Sequence, residues 1–271
     1  QQIIVLEGSA INSNVIKTMK LIDGMSILVT GGGSGIGESC AEYFVNHGAK
    51  VTICGRRKEK VFSVAEKLGT SCKAVVADVT DSSDREKLIA ASVAHGGKLD
   101  ALVNNAANMY RLPVEEYSED LLKDAFNTNV ISCMMLSSIA IPYLNTTSGA
   151  IVFIGSTHTR RAFPGASPYA TTKAALEGLT KVMAAELGPK KIRVNCVLPG
   201  AVITELNLRA GVIKESEVEE RYSSVAKLHA LGRVGTGTEV AESISHLITS
   251  EWVTGVAMEV DGGIGLGVSE F

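Results

Sequence analysis

The chain has 271 residues, of which 45% are hydrophobic and 20% charged, and its formal net charge at pH 7 is −3. Its Lys and Arg residues are dispersed, so the sequence gives no reason to expect a nucleic-acid partner. Strand and helix patterns alternate along the chain without a linker, which favours a single α/β domain.

The first twenty residues contain one short apolar patch, from Ile3 to Leu6. This patch is too short for the apolar region of a signal sequence or for a membrane span, so no membrane partner is expected. We predict an N-terminal arm or extension over residues 1–20 and a folded domain over residues 21–271. Residues 1–20 could form a flexible arm or an added strand, or could be sequence that does not belong to the domain.

The first predicted strand, residues 26–30, leads into a glycine-rich turn over residues 30–37 and then into a predicted helix over residues 38–47. A dinucleotide-binding fingerprint requires this order of strand, glycine turn and helix. Glycines let the backbone approach a pyrophosphate, which binds the unpaired N–H groups at the helix start. The spacing is TGxxxGIG, and there is no Gly-Lys-Ser/Thr ending of the kind a P-loop has. A glycine-rich turn without a ligand is the alternative.

The second predicted strand, residues 50–54, is followed by Gly55, Arg56 and Arg57. An acidic residue about twenty positions beyond the glycine turn binds the ribose hydroxyls of NAD, whereas an arginine there accommodates the phosphate of NADP. Gly55 places no carboxylate in that region, and Arg56 offers paired N–H donors. The sequence therefore favours NADP(H) over NAD(H), unless both arginines are solvated loop charges.

Further strands are predicted near residues 73–77, 99–103, 150–154, 192–197 and 256–260, and further helices near residues 81–94, 118–143, 168–187 and 238–249. Several of these strands are entirely apolar, as expected for a parallel sheet that is covered on both faces. The sequence predicts a doubly wound parallel sheet of the Rossmann type with helices on both faces.

Polar residues stand out at three places in this pattern. Asn104 and Asn105 follow the strand at 99–103, Asn129 lies within the helix at 118–143, and Ser156 follows the strand at 150–154. Each also has a purely structural alternative. Asn104 and Asn105 could form a turn, Asn129 could kink its helix, and Ser156 could cap a turn.

The helix at 168–187 carries Tyr169 and Lys173 on one face, four positions apart. Ser167 is the predicted N-cap, and Pro168 suits the first helical position. A fixed ammonium favours the phenolate and lowers a tyrosine pKa toward working pH, which suits proton transfer. A half-buried Tyr beside a solvated Lys is the alternative for this pair taken alone.

In their order, these landmarks resemble the short-chain dehydrogenase/reductase family over residues 21–263. The matching positions are residues 30–37, Asp78 with Val79, residues 104–107, Asn129, Ser156, Tyr169 with Lys173, Pro199 and Gly200 with Thr204, and residues 261–263. The resemblance implies a dehydrogenase/reductase domain that interconverts alcohols and carbonyls with NAD(P). One departure is Ala107, where the family usually has Gly.

The resemblance also implies roles for individual residues. Tyr169 is the expected acid/base, Ser156 holds the substrate oxygen, Lys173 lowers the tyrosine pKa and binds ribose, and Asn129 supports a proton-relay water. The expected coenzyme-binding residues are Gly31, Gly33, Ser34, Gly35, Ile36, Gly37, Arg56, Arg57, Asp78, Val79, Asn105, Ala106, Ala107, Tyr169, Lys173, Pro199, Gly200, Val202 and Thr204.

The resemblance implies a substrate pocket built from three loops, and in this sequence those loops are moderately apolar, with few charges. Its expected lining residues are Met109, Thr157, His158, Phe163, Ala201 and Leu206, with Tyr110 and Leu208 in the same segments. Such a pocket suits a small neutral ketone, a diketone or a sugar-like carbonyl. In the proposed reducing direction, NADPH delivers hydride to the carbonyl carbon while Tyr169 protonates its oxygen.

The sequence is compatible with several functions. The stretch over residues 179–195 resembles the L-xylulose and dicarbonyl reductase branch of the family. A 3-oxoacyl-carrier-protein reductase is an alternative, since Arg160 and Arg161 could contact an acyl carrier, and so is a hydroxysteroid dehydrogenase. A regulator that binds NADP(H) without turnover is a different class of function, although the intact Tyr169 and Lys173 argue against it.

Cysteine usage and helix pattern bear on compartment and assembly. The five cysteines form no CxxC pair, so we expect buried thiols in a reducing, cytoplasmic setting, with neither disulfides nor a metal site. Ala170, Ala174 and Gly178 form a small-residue face on the helix at 168–187. Such a face can pack on its own sheet, but family members use this helix to form dimers or tetramers, so the resemblance implies a homotetramer or homodimer.

Overall fold

The computed structural model of the protein describes residues 21–204, residue 216 and residues 218–267. The predicted N-terminal arm, Leu206 and Leu208 lie outside these residues. Within them, seven strands form one parallel sheet in the order β3-β2-β1-β4-β5-β6-β7. The strands are β1 (Ser26–Thr30), β2 (Lys50–Gly55), β3 (Cys72–Val76), β4 (Ala101–Asn104), β5 (Ala150–Ile154), β6 (Arg193–Pro199) and β7 (Ala257–Val260).

Helices connect successive strands and cover both faces of the sheet. They are α1 (Gly35–Asn46), α2 (Lys58–Leu68), α3 (Ser82–Gly96), α4 (Glu119–Phe126), α5 (Ser132–Thr147), α6 (Ser167–Leu187), α7 (Val218–Ala226) and α8 (Gly237–Thr249). The strand order changes direction between β1 and β4. Because ligands of open α/β sheets bind beyond the carboxyl ends of the strands at such a switch point, this geometry places a crevice next to the glycine turn.

Two hydrophobic layers sandwich the sheet, because successive strand residues point to opposite faces. Ile27 and Val29 of β1 pack with residues of α1, α2 and α8. Leu28, between them in sequence, packs in the opposite layer with residues of α3, α5 and α6. The predicted doubly wound sheet with helices on both faces is therefore confirmed.

The strand predictions agree with the structure to within about two residues, a normal disagreement for element ends. Helices α2 and α7 were not predicted. The helix predicted over 118–143 is α4 and α5 joined by a π-helical turn, Asn127–Ile131, and this turn carries Asn129. The kink considered for Asn129 therefore exists as a π-helical turn, a feature that often marks functional sites.

The prediction that Ser167 caps α6 was wrong. The N-cap residue is Ala166, and no side chain accepts a hydrogen bond from the first turn. Ser167 is itself helical, and its hydroxyl instead contacts the hydroxyl of Tyr117. Pro168 lies in the first turn as predicted, and the helix ends at Leu187 before Gly188.

All five cysteines are buried free thiols. Burial raises the pKa of Cys54 and of Cys196 to about 12, so these thiols stay protonated and unreactive at neutral pH. They act as small hydrophobic residues of the two layers, as the sequence predicted.

The helical stretch Glu119–Thr147 is long and apolar enough, by length and composition, to cross a membrane. One side of α5 is nevertheless buried in the domain, where Leu136, Ala140 and Leu144 pack against the sheet. Its apolar character thus partly reflects its place in the core.

Candidate active site

The glycine turn between β1 and α1 has a backbone that only glycine accommodates well. Gly31 and Gly35 have φ values of 67° and 58°, in the left-handed region. A Cβ atom on Gly37 would lie 2.3 Å from the carbonyl oxygen of Gly31 and 2.5 Å from Nδ2 of Asn105. Gly37 therefore permits a close approach of backbone segments that a larger residue would block.

The N-terminus of α1 opens into a cavity of about 250 Å³, which we call the glycine-turn cavity. Ser34, the N-cap residue of α1, has an extended backbone, and its side chain makes no capping hydrogen bond to the first turn of the helix. First-turn N–H groups without a cap, next to a glycine backbone, form a site that suits a phosphate or pyrophosphate. The residues present thus fit a dinucleotide coenzyme.

One end of the glycine-turn cavity is lined by three cationic side chains, those of Arg56, Arg57 and Lys60. Arg57 donates a hydrogen bond to the hydroxyl of Ser34 at 2.9 Å. Arg56, whose side chain is 57% exposed, lies 3.8 Å from Asp78. Both predicted arginines therefore line the cavity, and Lys60 on the unpredicted α2 is a third positive charge there.

Asn105 fastens the end of β4 to the glycine turn. Its Nδ2 donates to the Thr30 carbonyl at 2.8 Å, and its backbone N–H donates to the Thr30 hydroxyl at 2.9 Å. The N–H of Ala106 donates to the same hydroxyl at 2.9 Å. Asn105 thus has a structural role that also serves the site, because its hydrogen bonds fix the loop after β4 against the glycine turn.

A second cavity of about 160 Å³, the tyrosine cavity, is lined by Ser156, Tyr169 and Lys173. Ala107 lines both cavities, so the two adjoin. Strand β5 ends just before Ser156, and the first turn of α6 carries Tyr169. The carboxyl edge of the sheet thus brings the three predicted side chains together.

Lys173 is almost fully buried, with 2% of its surface exposed. Its Nζ donates to the Ile154 carbonyl at 2.7 Å and lies 5.4 Å from the ring centroid of Tyr169. A buried charge is costly unless polar groups compensate it. Here the carbonyl holds the ammonium where it can stabilise negative charge on the tyrosine.

Ser156 forms a tight hydrogen-bonded turn with His158. Its Oγ accepts the backbone N–H of His158 at 3.2 Å and lies 3.0 Å from His158 Nδ1. Burial, with a smaller contribution from the positive charge of Arg111, lowers the pKa of His158 to about 4. The imidazole is therefore neutral at neutral pH.

Asn129 does not line the tyrosine cavity, although it is nearly fully buried. Its Oδ1 accepts the backbone N–H of Asn108, and its Nδ2 donates to the Asn108 carbonyl, both at 2.8 Å. Nδ2 also donates to the Thr172 hydroxyl at 3.0 Å. The side chain thus joins the loop after β4 to α6, which makes it a positioning residue.

The remaining predicted residues largely follow the two cavities. Every predicted coenzyme residue except Gly35 and Gly37 lines one cavity or the other. Of the predicted substrate residues, Met109, Thr157, His158, Phe163 and Ala201 line the tyrosine cavity, and Leu206 lies outside the described residues. Tyr110 does not line it, because its hydroxyl donates to Asp124 at 2.5 Å.

Sequence reasoning missed other lining residues, including Arg111, Tyr222, Val225 and Ile264. Arg111 adds a second cation, beside that of Lys173, to a lining that otherwise has no charged side chain. Its place two residues beyond Met109, in a loop already singled out, was the available signal. Tyr222 and Val225 lie on α7, which had not been predicted.

A sequence model for a family described as enoyl-(acyl carrier protein) reductase matches residues 31–265. The chain belongs to the short-chain dehydrogenase/reductase family. Among curated relatives, a tropinone reductase homolog of Arabidopsis thaliana is 37% identical over 247 residues, which are 89% of this chain and 92% of the relative. The 3-oxoacyl-(acyl-carrier-protein) reductase of Chlamydia muridarum is 33% identical over 90% of this chain and 98% of its own length.

Solved structures of this family share the fold. A short-chain dehydrogenase/reductase from Serratia marcescens is 35% identical, with a TM-score of 0.81 over 90% of this chain and 99% of its own. The 3-ketoacyl-(acyl-carrier-protein) reductase from Brucella melitensis, solved in complex with NADH, is 29% identical, with a TM-score of 0.82 over the same shares. This short-chain dehydrogenase/reductase is an oxidoreductase that acts on carbonyl or CH–OH groups, and the family binds a nicotinamide coenzyme.

Proposed function

We propose that the protein is an NADP(H)-dependent oxidoreductase that interconverts a small neutral carbonyl compound and its alcohol. The observation that carries this proposal is the tyrosine cavity, where Ser156, Tyr169 and Lys173 surround one space. That space adjoins the glycine-turn cavity, which fits a pyrophosphate.

In the reducing direction, the Ser156 hydroxyl donates a hydrogen bond to the substrate carbonyl oxygen, and Tyr169 donates a proton to that oxygen. A bound nicotinamide coenzyme supplies the hydrogen and two electrons that the carbonyl carbon takes up. The Lys173 ammonium stabilises the tyrosinate that remains, because it is fixed beside the ring in a buried site. In the oxidising direction the same groups act in reverse.

Preference for NADP(H) is supported by the charges at the end of β2. Three cations line that part of the glycine-turn cavity, and Gly55, which also lines it, contributes no carboxylate to repel a 2′-phosphate. Arg56 and Arg57 can each form charge-assisted hydrogen bonds to a phosphate.

The substrate class is supported by the apolar part of the tyrosine cavity and by the variety of relatives. Beside the tropinone reductase homolog, a glucose 1-dehydrogenase of Gluconobacter oxydans is 32% identical over 251 residues, 90% of this chain and 92% of its own length. We infer a ketone, diketone or sugar-like carbonyl, which agrees with the resemblance to the L-xylulose and dicarbonyl reductase branch.

A 3-oxoacyl-carrier-protein reductase is the second candidate, favoured by the relative of that name in Chlamydia muridarum. This candidate depends on Arg160 and Arg161 as contacts for an acyl carrier, and the structure pairs Arg160 with carboxylates. Arg160 binds Glu177 and Glu259, each at 2.6 Å, and these carboxylates offset its charge. This observation favours a small substrate over an acidic carrier protein.

We also propose a homotetramer or homodimer. Ala174 and Gly178 on α6 are exposed, and open space surrounds the Cβ position of Gly178. Val182, one turn further on, is 55% exposed. Because large exposed apolar side chains beside a flat small-residue face are typical of helix interfaces, this face suits contact with a second copy of the chain.

Replacement of the acid/base residue tests the chemistry. Tyr169→Phe should lower kcat by roughly a hundredfold to ten-thousandfold with any reducible carbonyl, because the proton donor is lost. NADPH binding, followed by coenzyme fluorescence, should persist. Tyr143→Phe, at a half-exposed tyrosine on α5, is the control and should keep its activity.

A fully active Tyr169→Phe variant would contradict the assigned role. The unaltered protein should also be tested with a panel of diketones, sugars, acyl thioesters and steroids. Tight NADPH binding without turnover of any of these carbonyls would support the alternative function, a regulator that binds NADP(H).

Coenzyme preference is tested by two substitutions at the end of β2. Arg56→Ala should raise the KM for NADPH about tenfold or more, because a hydrogen bond to a charged group contributes about 1.5–3 kcal/mol. Gly55→Asp should shift preference toward NADH, since its carboxylate repels a 2′-phosphate. Lys58→Ala removes a neighbouring charge that does not line the cavity and serves as the control. Equal efficiency of the unaltered enzyme with NADH and NADPH would refute the assignment.

The assembly is tested at Gly178. Gly178→Arg should fold normally, because the space around it is open in one chain, yet the large side chain should prevent close helix contact. Light scattering at micromolar concentration should give an oligomeric mass for the unaltered chain and a smaller mass for the variant. Gly188→Arg, where the space is also open but off the small-residue face, is the control. A monomeric mass for the unaltered chain would rule out the proposed assembly.

A further inference from the structure

His158 lines the tyrosine cavity and contacts Ser156, the serine expected to hold the substrate oxygen. Its Nδ1 lies 3.0 Å from Ser156 Oγ, and its Nε2 has no hydrogen-bond partner among the described residues. The imidazole packs against Phe163, with ring centroids 4.5 Å apart, and edge-on against Tyr169 at 5.4 Å. These contacts fix the plane of the imidazole ring and with it the direction of Nε2. His158 as a residue lines the tyrosine cavity.

The hydrogen bonds of Ser156 determine which imidazole nitrogen carries the proton. A serine hydroxyl has one proton and two lone pairs. One lone pair accepts the backbone N–H of His158. If the hydroxyl proton pointed to Nδ1, none would remain for a substrate carbonyl, which only accepts hydrogen bonds. If Nδ1 carries the proton and donates it to Oγ, the hydroxyl proton is free for the substrate.

A neutral imidazole has a single N–H, so protonation at Nδ1 leaves Nε2 as an acceptor. The environment keeps the ring neutral, because burial and the positive charge of Arg111 both disfavour the imidazolium. Lys173 lines the same cavity and adds a second positive charge. Two neighbouring residues that line the tyrosine cavity therefore carry groups of opposite character, a donor at Ser156 Oγ and an acceptor at His158 Nε2.

We propose that the substrate carries a hydroxyl group on the carbon next to the reacting carbonyl, and that His158 Nε2 accepts a hydrogen bond from it. This inference rests on the proposed function and narrows its substrate class to α-hydroxyketones and, in the oxidising direction, vicinal diols. A second carbonyl at this point would set an acceptor against an acceptor, and an alkyl group would leave Nε2 without a partner. His158 is thus the residue that selects among the ketone, diketone and sugar-like classes.

The tautomer can be observed without turnover. In protein labelled with ¹⁵N-histidine, two-bond ¹H–¹⁵N correlation spectra at pH 7 should show His158 protonated at Nδ1 and unprotonated at Nε2. The signal is assigned by its loss in His158→Phe. An Nε2–H tautomer or an imidazolium at pH 7 would overturn the inference.

Substrate preference provides the second test. Hydroxyacetone and butanone differ by exchange of a hydroxyl for a methyl group, and methoxyacetone keeps the electron-withdrawing oxygen but cannot donate. The unaltered enzyme should show a kcat/KM for hydroxyacetone about tenfold or more above those for the other two, as expected for one buried hydrogen bond. His158→Phe keeps the ring packing and removes both nitrogens, so this ratio should fall to near one.

Two further variants separate the contacts of the ring. His158→Gln can place an amide oxygen near the position of Nε2 and should retain part of the preference for hydroxyacetone. Met109→Leu alters the lining but removes no hydrogen-bond acceptor for the hydroxyl group, so it should change kcat/KM for all three ketones alike and leave their ratio at its original value. Turnover of all three ketones with equal efficiency would overturn this inference and leave the proposed function standing. Absence of turnover with every carbonyl tested would overturn the proposed function and this inference with it.

Discussion

A buried ammonium organises the active site. Lys173 is almost inaccessible to solvent, and the Ile154 carbonyl at the end of β5 holds its Nζ at 2.7 Å. This bond joins the sheet edge to α6, so it sets the position of Tyr169 on that helix relative to Ser156, two residues beyond Ile154. A charge in this position is costly to bury, and under the proposed function it would stabilise a tyrosinate.

The loops around this centre are held together by two asparagine side chains. Asn129 ties the loop after β4 to α6 through Asn108 and Thr172. Asn105 ties the same loop to the glycine turn through Thr30. The wall between the two cavities is therefore fixed on both sides, and a coenzyme and a substrate that occupy them would meet in a preorganised geometry.

Sequence reasoning succeeded where local patterns carry the information. Buried apolar runs gave the strands, glycines requiring a close backbone approach gave the turn, and the four-residue spacing of Tyr169 and Lys173 placed both on one face. Sequence reasoning failed where tertiary contacts determine the local structure. Helix α2 begins at an Arg57 N-cap that makes no side-chain capping bond, so Lys60 was missed with it. Ser167 has a good capping side chain that contacts Tyr117 instead. The contact between Ser156 and His158 depends on a short turn whose geometry no periodicity reveals.

Single-turnover reduction at saturating NADPH measures whether the Lys173 charge supports proton transfer by Tyr169. Lys173→Met removes the charge and keeps a side chain of similar length, and thermal unfolding checks that the variant folds, because the Ile154 carbonyl loses a donor. We predict a rate constant for coenzyme oxidation lower by roughly a hundredfold or more, the usual range for a lost contribution to acid–base catalysis. An unchanged rate constant in a folded, NADPH-saturated variant would mean that the Lys173 charge does not support proton transfer by Tyr169.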